Sequence, residues 1–273
     1  MGHGDSIMAT AQAQVVAEAT GSQVTFGYWD DQVFPNNPFI AQFGQAIPIN
    51  DRPGHRPYIL GQVEGRMIWN PRHRASPGYI YLEEHELPTL EGDYVVIEPN
   101  VKGTVSGPNK DWGIERYQVV ADHLMKEGAR LVQLRGPFLD GVERFETETF
   151  REACSVIAGS QGYLGNEGGL HHAAAAFGKP AVVVFGGYIH PDVTGYWFHR
   201  NLGGDWCGQL SECPHCRMKL DEITPEQVIE AAESLHWIRP PPGSELPTGS
   251  VQRGFSRNGS DQRYAVDPGA ASD

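Results

Sequence analysis

The chain has 273 residues, 40% of them apolar, which is enough for an ordinary core and excludes disorder as its general state. Its 34 acidic and 21 basic side chains leave a net charge of -13, which disfavours general attraction to phosphate backbones and anionic membranes and so argues against nucleic acid as a partner, a local basic groove aside. No apolar run approaches the roughly 20 residues of a membrane span, and the first residues lack the charged-then-apolar pattern of a signal peptide, so the sequence points to a cytoplasmic protein without a transmembrane segment.

In chain order, residues 6–19 read as a helix, 23–28 as a strand and 79–82 as another, with the Pro- and Asn-rich connection Phe34-Pro35-Asn36-Asn37-Pro38 between them. Residues 1–90 are therefore expected to form a small α/β domain. From residue 91 to 238 strands and helices alternate. Residues 94–98 form an apolar strand, and Ile114, Tyr117, Val120, Ala121 and Leu124 mark one helical face that Gly128 terminates. Strands follow at 131–134, near Tyr163 and at 181–185, separated by a helix with Phe150, Cys154 and Ile157 inward and a small-residue helix over 169–177. Throughout-apolar strands separated by amphipathic helices imply a doubly wound parallel sheet, Rossmann-like, covered on both faces. A last helix opens at Thr224-Pro225-Glu226-Gln227, where Thr caps, Pro takes the first helical position and Gln closes a capping box. Residues 239–273, rich in Pro, Gly, Ser and Asp, are expected to be a disordered tail.

Three segments leave the carboxyl ends of these strands, where open parallel sheets bind ligands. Gly165-Asn166-Glu167-Gly168-Gly169-Leu170-His171-His172 runs from a strand into a helix, and its glycines let a phosphate approach bare N–H groups at the helix start, with His171 one turn in. A tightly packed turn whose glycines serve geometry alone is the equal alternative. Residues 99–112 bring Lys102 and Lys110, either of which can neutralise a departing diphosphate, or be a solvated surface lysine. Residues 190–196, with Thr194 and Gly195, return to the same edge.

Lys110-Asp111-Trp112-Gly113-Ile114-Glu115-Arg116-Tyr117, then Glu167-Gly168-Gly169-Leu170-His171-His172-Ala173-Ala174-Ala175, Gly178-Lys179-Pro180 and Thr194-Gly195-Tyr196, together resemble glycosyltransferase family 9, the ADP-heptose:lipopolysaccharide heptosyltransferase family. Gly4-Asp5-Ser6-Ile7 is similar to the Gly-Asp segment that opens these enzymes, and the amino-terminal half is shorter than theirs. The resemblance implies a GT-B fold with the active site between two Rossmann-like domains. It also implies inverting transfer of a hexosyl, heptosyl or pentosyl group from a nucleotide-diphospho-sugar to a glycan or other hydroxyl-bearing acceptor, with no metal or other cofactor required for catalysis. Asp5 would be the catalytic base, Lys110 the phosphate-binding lysine, and Gly168 and His171 part of the donor-binding helix start. Asn166-Glu167 stands where the family has Asp followed by Ser or Thr; a carboxylate repels a diphosphate, so Glu167 is expected on ribose or sugar hydroxyls. Two other readings stay open: a catalytically silent nucleotide-sugar-binding or assembly protein, and a phage-type transferase acting on protein or DNA.

Cys207, Cys213 and Cys216 form a C-x5-C-x2-C cluster able to wrap one structural zinc or iron, with His215, His199 or Cys154 as fourth ligand; unligated cysteines are the alternative. Trp197, Phe198, Trp206 and Trp237 are either stacking platforms for a base or sugar, or core anchors.

Overall fold

Helix α1, His3–Thr20, starts three residues earlier than its apolar pattern suggests because Asp5 acts as its cap: the Asp5 carboxylate accepts the Gly2 N–H at 3.0 Å. Gly21 ends it at φ 68°, closing a 2.8 Å bond to the Ala17 carbonyl. The computed structural model describes residues 2–49 and 56–237, all within one compact unit. The tail expectation for 239–273 lies outside them.

Two short sheets follow α1. Strand β1, Val24–Thr25, pairs in parallel with β2, Ile47–Pro48. Strands β3, Ile59–Val63, and β4, Arg66–Trp69, form an antiparallel hairpin whose turn residues Glu64 and Gly65 both have positive φ, as the twist-compatible hairpin turn requires. The strand expected at 23–28 is thus confined to two residues. Residues 79–82 are not a strand: the Tyr79 N–H donates to Thr10 Oγ1 of α1 at 2.6 Å instead of to a neighbouring strand.

The rest of the chain runs β5 Val95–Glu98, α2 Ile114–Lys126, β6 Leu131–Gln133, β7 Glu143–Arg144, α3 Phe150–Gly159, β8 Gly162–Asn166, α4 Gly169–Ala176 and β9 Ala181–Val184. It continues through α5 Pro191–Thr194, β10 Arg200–Leu202, α6 Pro214–Asp221 and α7 Pro225–Glu233. The capping box of α7 is present, with Thr224 N–H donating to Gln227 Oε1 at 2.9 Å. Six strands form one sheet in the order β10-β9-β8-β5-β6-β7, and every pairing in it is parallel.

Alternate side chains serve the two faces. Val96, Val132, Tyr163 and Val183 pack with residues of α1, α3 and α4, while Val95, Ile97, Leu131, Leu164 and Val182 pack with α2 and α7. This is the expected α/β architecture, a doubly wound parallel sheet with smaller amino-terminal α/β elements. The core on the first face is continuous with Ile7, Ala13, Val24 and Phe34 from the first 49 residues. Among the described residues no helix is long and apolar enough to cross a membrane.

Strand order decides where a ligand can enter. From β5 the chain moves outward to β6 and β7, then returns to β8 on the other side of β5. The loops after β5 and β8 therefore leave in opposite directions and open a crevice at their carboxyl ends, the topological switch point at which such sheets bind ligands.

Candidate functional site

Lys110 and Glu167 meet across that crevice. Lys110 ends the loop after β5, between two buried anchors. Asn109 Nδ2 donates to the carbonyls of Gln209 and Ser211, both at 2.7 Å, and Trp112 Nε1 donates to the Ile223 carbonyl at 2.9 Å. Glu167 follows β8, and its carboxylate forms an ion pair with the Lys110 ammonium. Burial opposes the charge on Lys110, but the Glu167 carboxylate overrides it and raises the Lys110 pKa, with Asp5 adding to the effect. Burial likewise opposes the Glu167 carboxylate, and Lys110 overrides it, lowering its pKa. The ammonium also lies 4.9 Å from the ring centre of Tyr188.

Two helix starts face each other beside this pair. Gly4, in the first turn of α1, lies against Gly169, the first residue of α4: a Cβ on Gly169 would come within 3.7 Å of the Gly4 nitrogen. Each helix presents unpaired backbone N–H groups and the positive end of its dipole, a favourable environment for an anion. A Cβ on Gly4 would sit 2.5 Å from His172 Cδ2, so only glycine allows the ring and helix to approach this closely.

Asp5 stands at the start of α1. One carboxylate oxygen accepts the Tyr58 hydroxyl, and the other accepts the Gly2 N–H and pairs with Arg56 at 3.1 Å. Burial and the Asp5 charge push the Tyr58 hydroxyl well above its ordinary pKa, so it remains a donor. Arg56 and Tyr58 carry no motif in the sequence. They reach Asp5 from the segment just before β3, which meets the start of α1.

His171 is fully buried, and both ring nitrogens are engaged. Nδ1 accepts the Gly168 N–H at 2.9 Å, which places the ring proton on Nε2, and Nε2 donates to the Thr194 carbonyl at 3.0 Å. The residue ties the loop after β8 to the end of α5. Thr194 Oγ1 is buried with no partner among the described residues, and Gly195 follows as the cap of α5. Asn166 is similarly committed: it accepts the Tyr117 hydroxyl at 3.0 Å and donates to the Pro99 carbonyl at 2.6 Å, locking the ends of β8 and β5 together. Lys102 is exposed on the loop after β5. The site thus brings together Asp5, Lys110, Glu167, Gly168, Gly169, His171 and Thr194. Of the aromatic residues, Trp237 is core, Trp197 is exposed, and Trp206 packs 4.8 Å from His190.

The cysteine cluster is a separate centre. Cys207 Sγ lies 3.8 Å from Cys213 Sγ and 3.5 Å from Cys216 Sγ, too far for disulfides and close to the edge of about 3.8 Å that a tetrahedron with metal–sulfur bonds of about 2.3 Å would have. Potential ligand atoms of Cys207, His215 and Cys216 all lie within 4.8 Å of one another, and the buried His215 Nδ1 has no hydrogen-bond partner. Burial opposes a thiolate at Cys213, yet the Cys216 and His215 N–H groups at the start of α6 lower its pKa. Cys207, Cys216 and His215 thus offer three ligand atoms close enough to share one metal ion, with Cys213 beside Cys207. Of the alternatives, His199 Nε2 donates to the Lys179 carbonyl at 3.2 Å and Cys154 is buried in α3.

No protein-family model matches the chain, and no curated protein matches it. Solved structures do. TibC, a bacterial iron-containing dodecameric glycosyltransferase from enterotoxigenic E. coli H10407, superposes with TM-score 0.62 over 86% of this chain and 74% of that one, at 17% identity. A glycosyl transferase family 9 protein from Veillonella parvula DSM 2008 superposes with TM-score 0.61 over 86% of this chain and 94% of that one, at 19% identity. Against a dodecameric TibC heptosyltransferase in complex with ADP-D-beta-D-heptose the match has TM-score 0.46 and 19% identity, covering 60% of this chain and 50% of the other, so there this chain spans half the relative's length. The fold is GT-B-like, of the kind seen in glycosyltransferase family 9.

Proposed function

We propose that this chain transfers a glycosyl group from a nucleotide-diphospho-sugar to an acceptor hydroxyl with inversion, as a heptosyltransferase-like member of glycosyltransferase family 9. The observation that carries the reading is the Lys110–Glu167 pair at the switch point, flanked by the starts of α1 and α4 with Asp5 alongside. In this reaction the acceptor oxygen attacks the anomeric carbon as its proton passes to Asp5. The bond from that carbon to the phosphate oxygen breaks, and the nucleoside diphosphate leaves with the electron pair. Negative charge grows on the departing phosphate, where Lys110 and the Gly169 N–H at the start of α4 stabilise it, while Gly168 holds His171. Glu167 holds Lys110 in place before the donor arrives and turns to ribose or sugar hydroxyls afterwards. Thr194 and Gly195 close the far side of the donor, Lys102 approaches from the rim, and Asn166 holds the strand ends that frame the pocket.

The printed name of TibC calls it iron-containing, and the closeness of Cys207, Cys216 and His215, with Cys213 beside Cys207, supports a structural zinc or iron held by these residues. The metal would pin the loop that receives Asn109, one of the two anchors of Lys110. Thiols of this kind persist in a reducing compartment, consistent with the cytoplasm.

A silent nucleotide-sugar-binding protein is the second reading, favoured by one observation: both Asp5 oxygens are already engaged by Tyr58, Arg56 and Gly2. Calorimetry with ADP-, UDP- and GDP-sugars, with donor hydrolysis followed in the same samples, separates the two. Saturable binding with Asp5-dependent hydrolysis supports the transferase. Binding without turnover supports the silent protein, and no binding to any donor overturns both.

A further inference from the structure

We infer that His3, seated on Asp30, is a second general base of this site: its Nε2 takes the proton of the acceptor hydroxyl while Asp5 stays in the clasp of Arg56 and Tyr58. The inference rests on the proposed transfer and adds a second destination for the proton that the reaction releases.

The hydrogen bonds of the His3 ring fix where its lone pair lies. His3 is the first residue of α1, and its Nδ1 stands 3.1 and 3.0 Å from the two carboxylate oxygens of Asp30. Asp30 is buried and also accepts the Gln32 N–H at 3.1 Å. Burial opposes its charge, yet the His3 ring and the nearby Ser6 hydroxyl lower its pKa, so the carboxylate stays ionised. An ionised carboxylate only accepts, so Nδ1 carries the ring proton and donates it, and the lone pair of the neutral ring is on Nε2. Nε2 makes no hydrogen bond among the described residues, and the side chain is 34% exposed. A ring whose proton is anchored on a buried carboxylate and whose other nitrogen is open is arranged to accept a proton.

Packing sets the ring at the gap between the two helix starts. It stacks on Phe150, with ring centres 4.4 Å apart and planes 21° from parallel. Phe150 in turn lies against the start of α4: a Cβ on Gly169 would come within 3.0 Å of Phe150 Cε2 and 3.7 Å of the Gly4 nitrogen. His3 and Asp5 thus flank Gly4 in the first turn of α1, and they differ in what a proton would do to them. One Asp5 oxygen accepts from Tyr58, and the other accepts from Gly2 and pairs with Arg56. A proton on Asp5 cancels its pairing with Arg56, whereas a proton on His3 creates a pair, imidazolium with the Asp30 carboxylate. As the acceptor oxygen bonds to the anomeric carbon, its O–H proton moves to Nε2 and the Nδ1 proton stays on its hydrogen bond to Asp30. The nucleoside diphosphate leaves with the electron pair of the broken carbon–oxygen bond. The group recognised is a neutral hydroxyl, of a glycan or of water.

The test uses the full-length protein with ADP-, UDP- and GDP-sugars and water as the acceptor. Donor hydrolysis and donor affinity are measured for wild type, His3→Gln, Asp30→Asn, Asp5→Asn and the double variant Asp5→Asn/His3→Gln. In parallel, 15N NMR of the imidazole nitrogens reads which nitrogen of His3 carries the proton. His3→Gln is expected to slow hydrolysis about tenfold or more at unchanged donor affinity, and to remove most of the turnover left in Asp5→Asn. Wild type should show the neutral ring with its proton on Nδ1, and Asp30→Asn should lose that preference and slow hydrolysis as His3→Gln does. Wild-type turnover in His3→Gln, or a ring proton on Nε2 in wild type, overturns the inference and leaves the transferase reading standing. If His3→Gln does not fold, the position of the ring proton decides alone. Donor binding without turnover in wild type overturns the transferase reading and this inference with it.

Discussion

Lys110 and Glu167 form an ion pair that joins the loops on the two sides of the sheet's switch point. Each side chain reaches the pair from an independently anchored loop, so neither depends on the other for its backbone position.

This relationship predicts opposite behaviour for its two halves. Glu167→Gln leaves the ammonium unpaired and should destabilise the ligand-free protein, near the low end of the about 3–5 kcal/mol for breaking a buried pair because Lys110 is 21% exposed. A nucleoside diphosphate should restore the lost pairing, so the rise in melting temperature on adding ADP or UDP should exceed that of wild type. Lys110→Met should abolish that rise. An equal ligand-induced rise in wild type and Glu167→Gln would contradict exchange of Lys110 between carboxylate and phosphate.

Asp5 is a second discriminating position. Asp5→Asn keeps the size and most acceptor capacity of the side chain while removing the proposed base, so under that reading glycosyl transfer should fall by about 100-fold or more, within the range for general-base catalysis. Donor affinity should change little, since Asp5 is not among the groups that carry the diphosphate. Calorimetry beside product formation checks both, and comparable loss of binding and transfer would argue that Asp5 holds the pocket together instead.

Metal content tests the cysteine centre. Protein purified without chelator should carry about one zinc or iron per chain by elemental analysis, and Cys216→Ser should lose it. Removal with a strong chelator should lower the melting temperature. Donor binding should weaken only through looser placement of Lys110, because Asn109 is held by the carbonyls of Gln209 and Ser211 within the same loop. Metal-free protein of unchanged stability would leave the cluster as ordinary packed thiols.

The buried histidines give the protein an acid limit. His199 is pulled down to about 3, chiefly by burial, and His171 and His172 are lowered for the same reason. In the unfolded chain each has a pKa of about 6.5, so between that value and the folded one the unfolded state binds more protons and stability rises with pH. The contribution is fully present above pH ~6.5 and is lost as pH falls toward the folded pKa, at up to about 1.4 kcal/mol per pH unit for each histidine. Denaturant midpoints at a series of pH values should show this slope. His199→Gln should make it shallower by about one proton; an unchanged slope would place the acid sensitivity elsewhere.

Much of the carboxyl-terminal sheet was legible in the sequence because its signals are local. The face of α2, the capping box of α7 and the apolar strands β5 and β9 each follow from residues a few positions apart, and alternation of such elements implies a parallel sheet. The loops bearing Lys110, Glu167 and Thr194 could be assigned to one sheet edge for the same reason. The hairpin β3–β4 was not recognised, since Glu64-Gly65 is a weak turn signal and its strands are short and mostly exposed.

The sequence by itself determined which residue types would stand at the switch point, because chain order and the hydrophobic period dictate which loops follow which strands. Only tertiary structure decided what each of them does there. Whether His171 locks two loops together depends on a partner 23 residues away at Thr194, and whether Asp5 is bare or clasped depends on Tyr58, 53 residues away. Hydrogen bonds are directional and short-ranged, so the assignment of each nitrogen and oxygen is fixed by packing between elements, which no local pattern encodes.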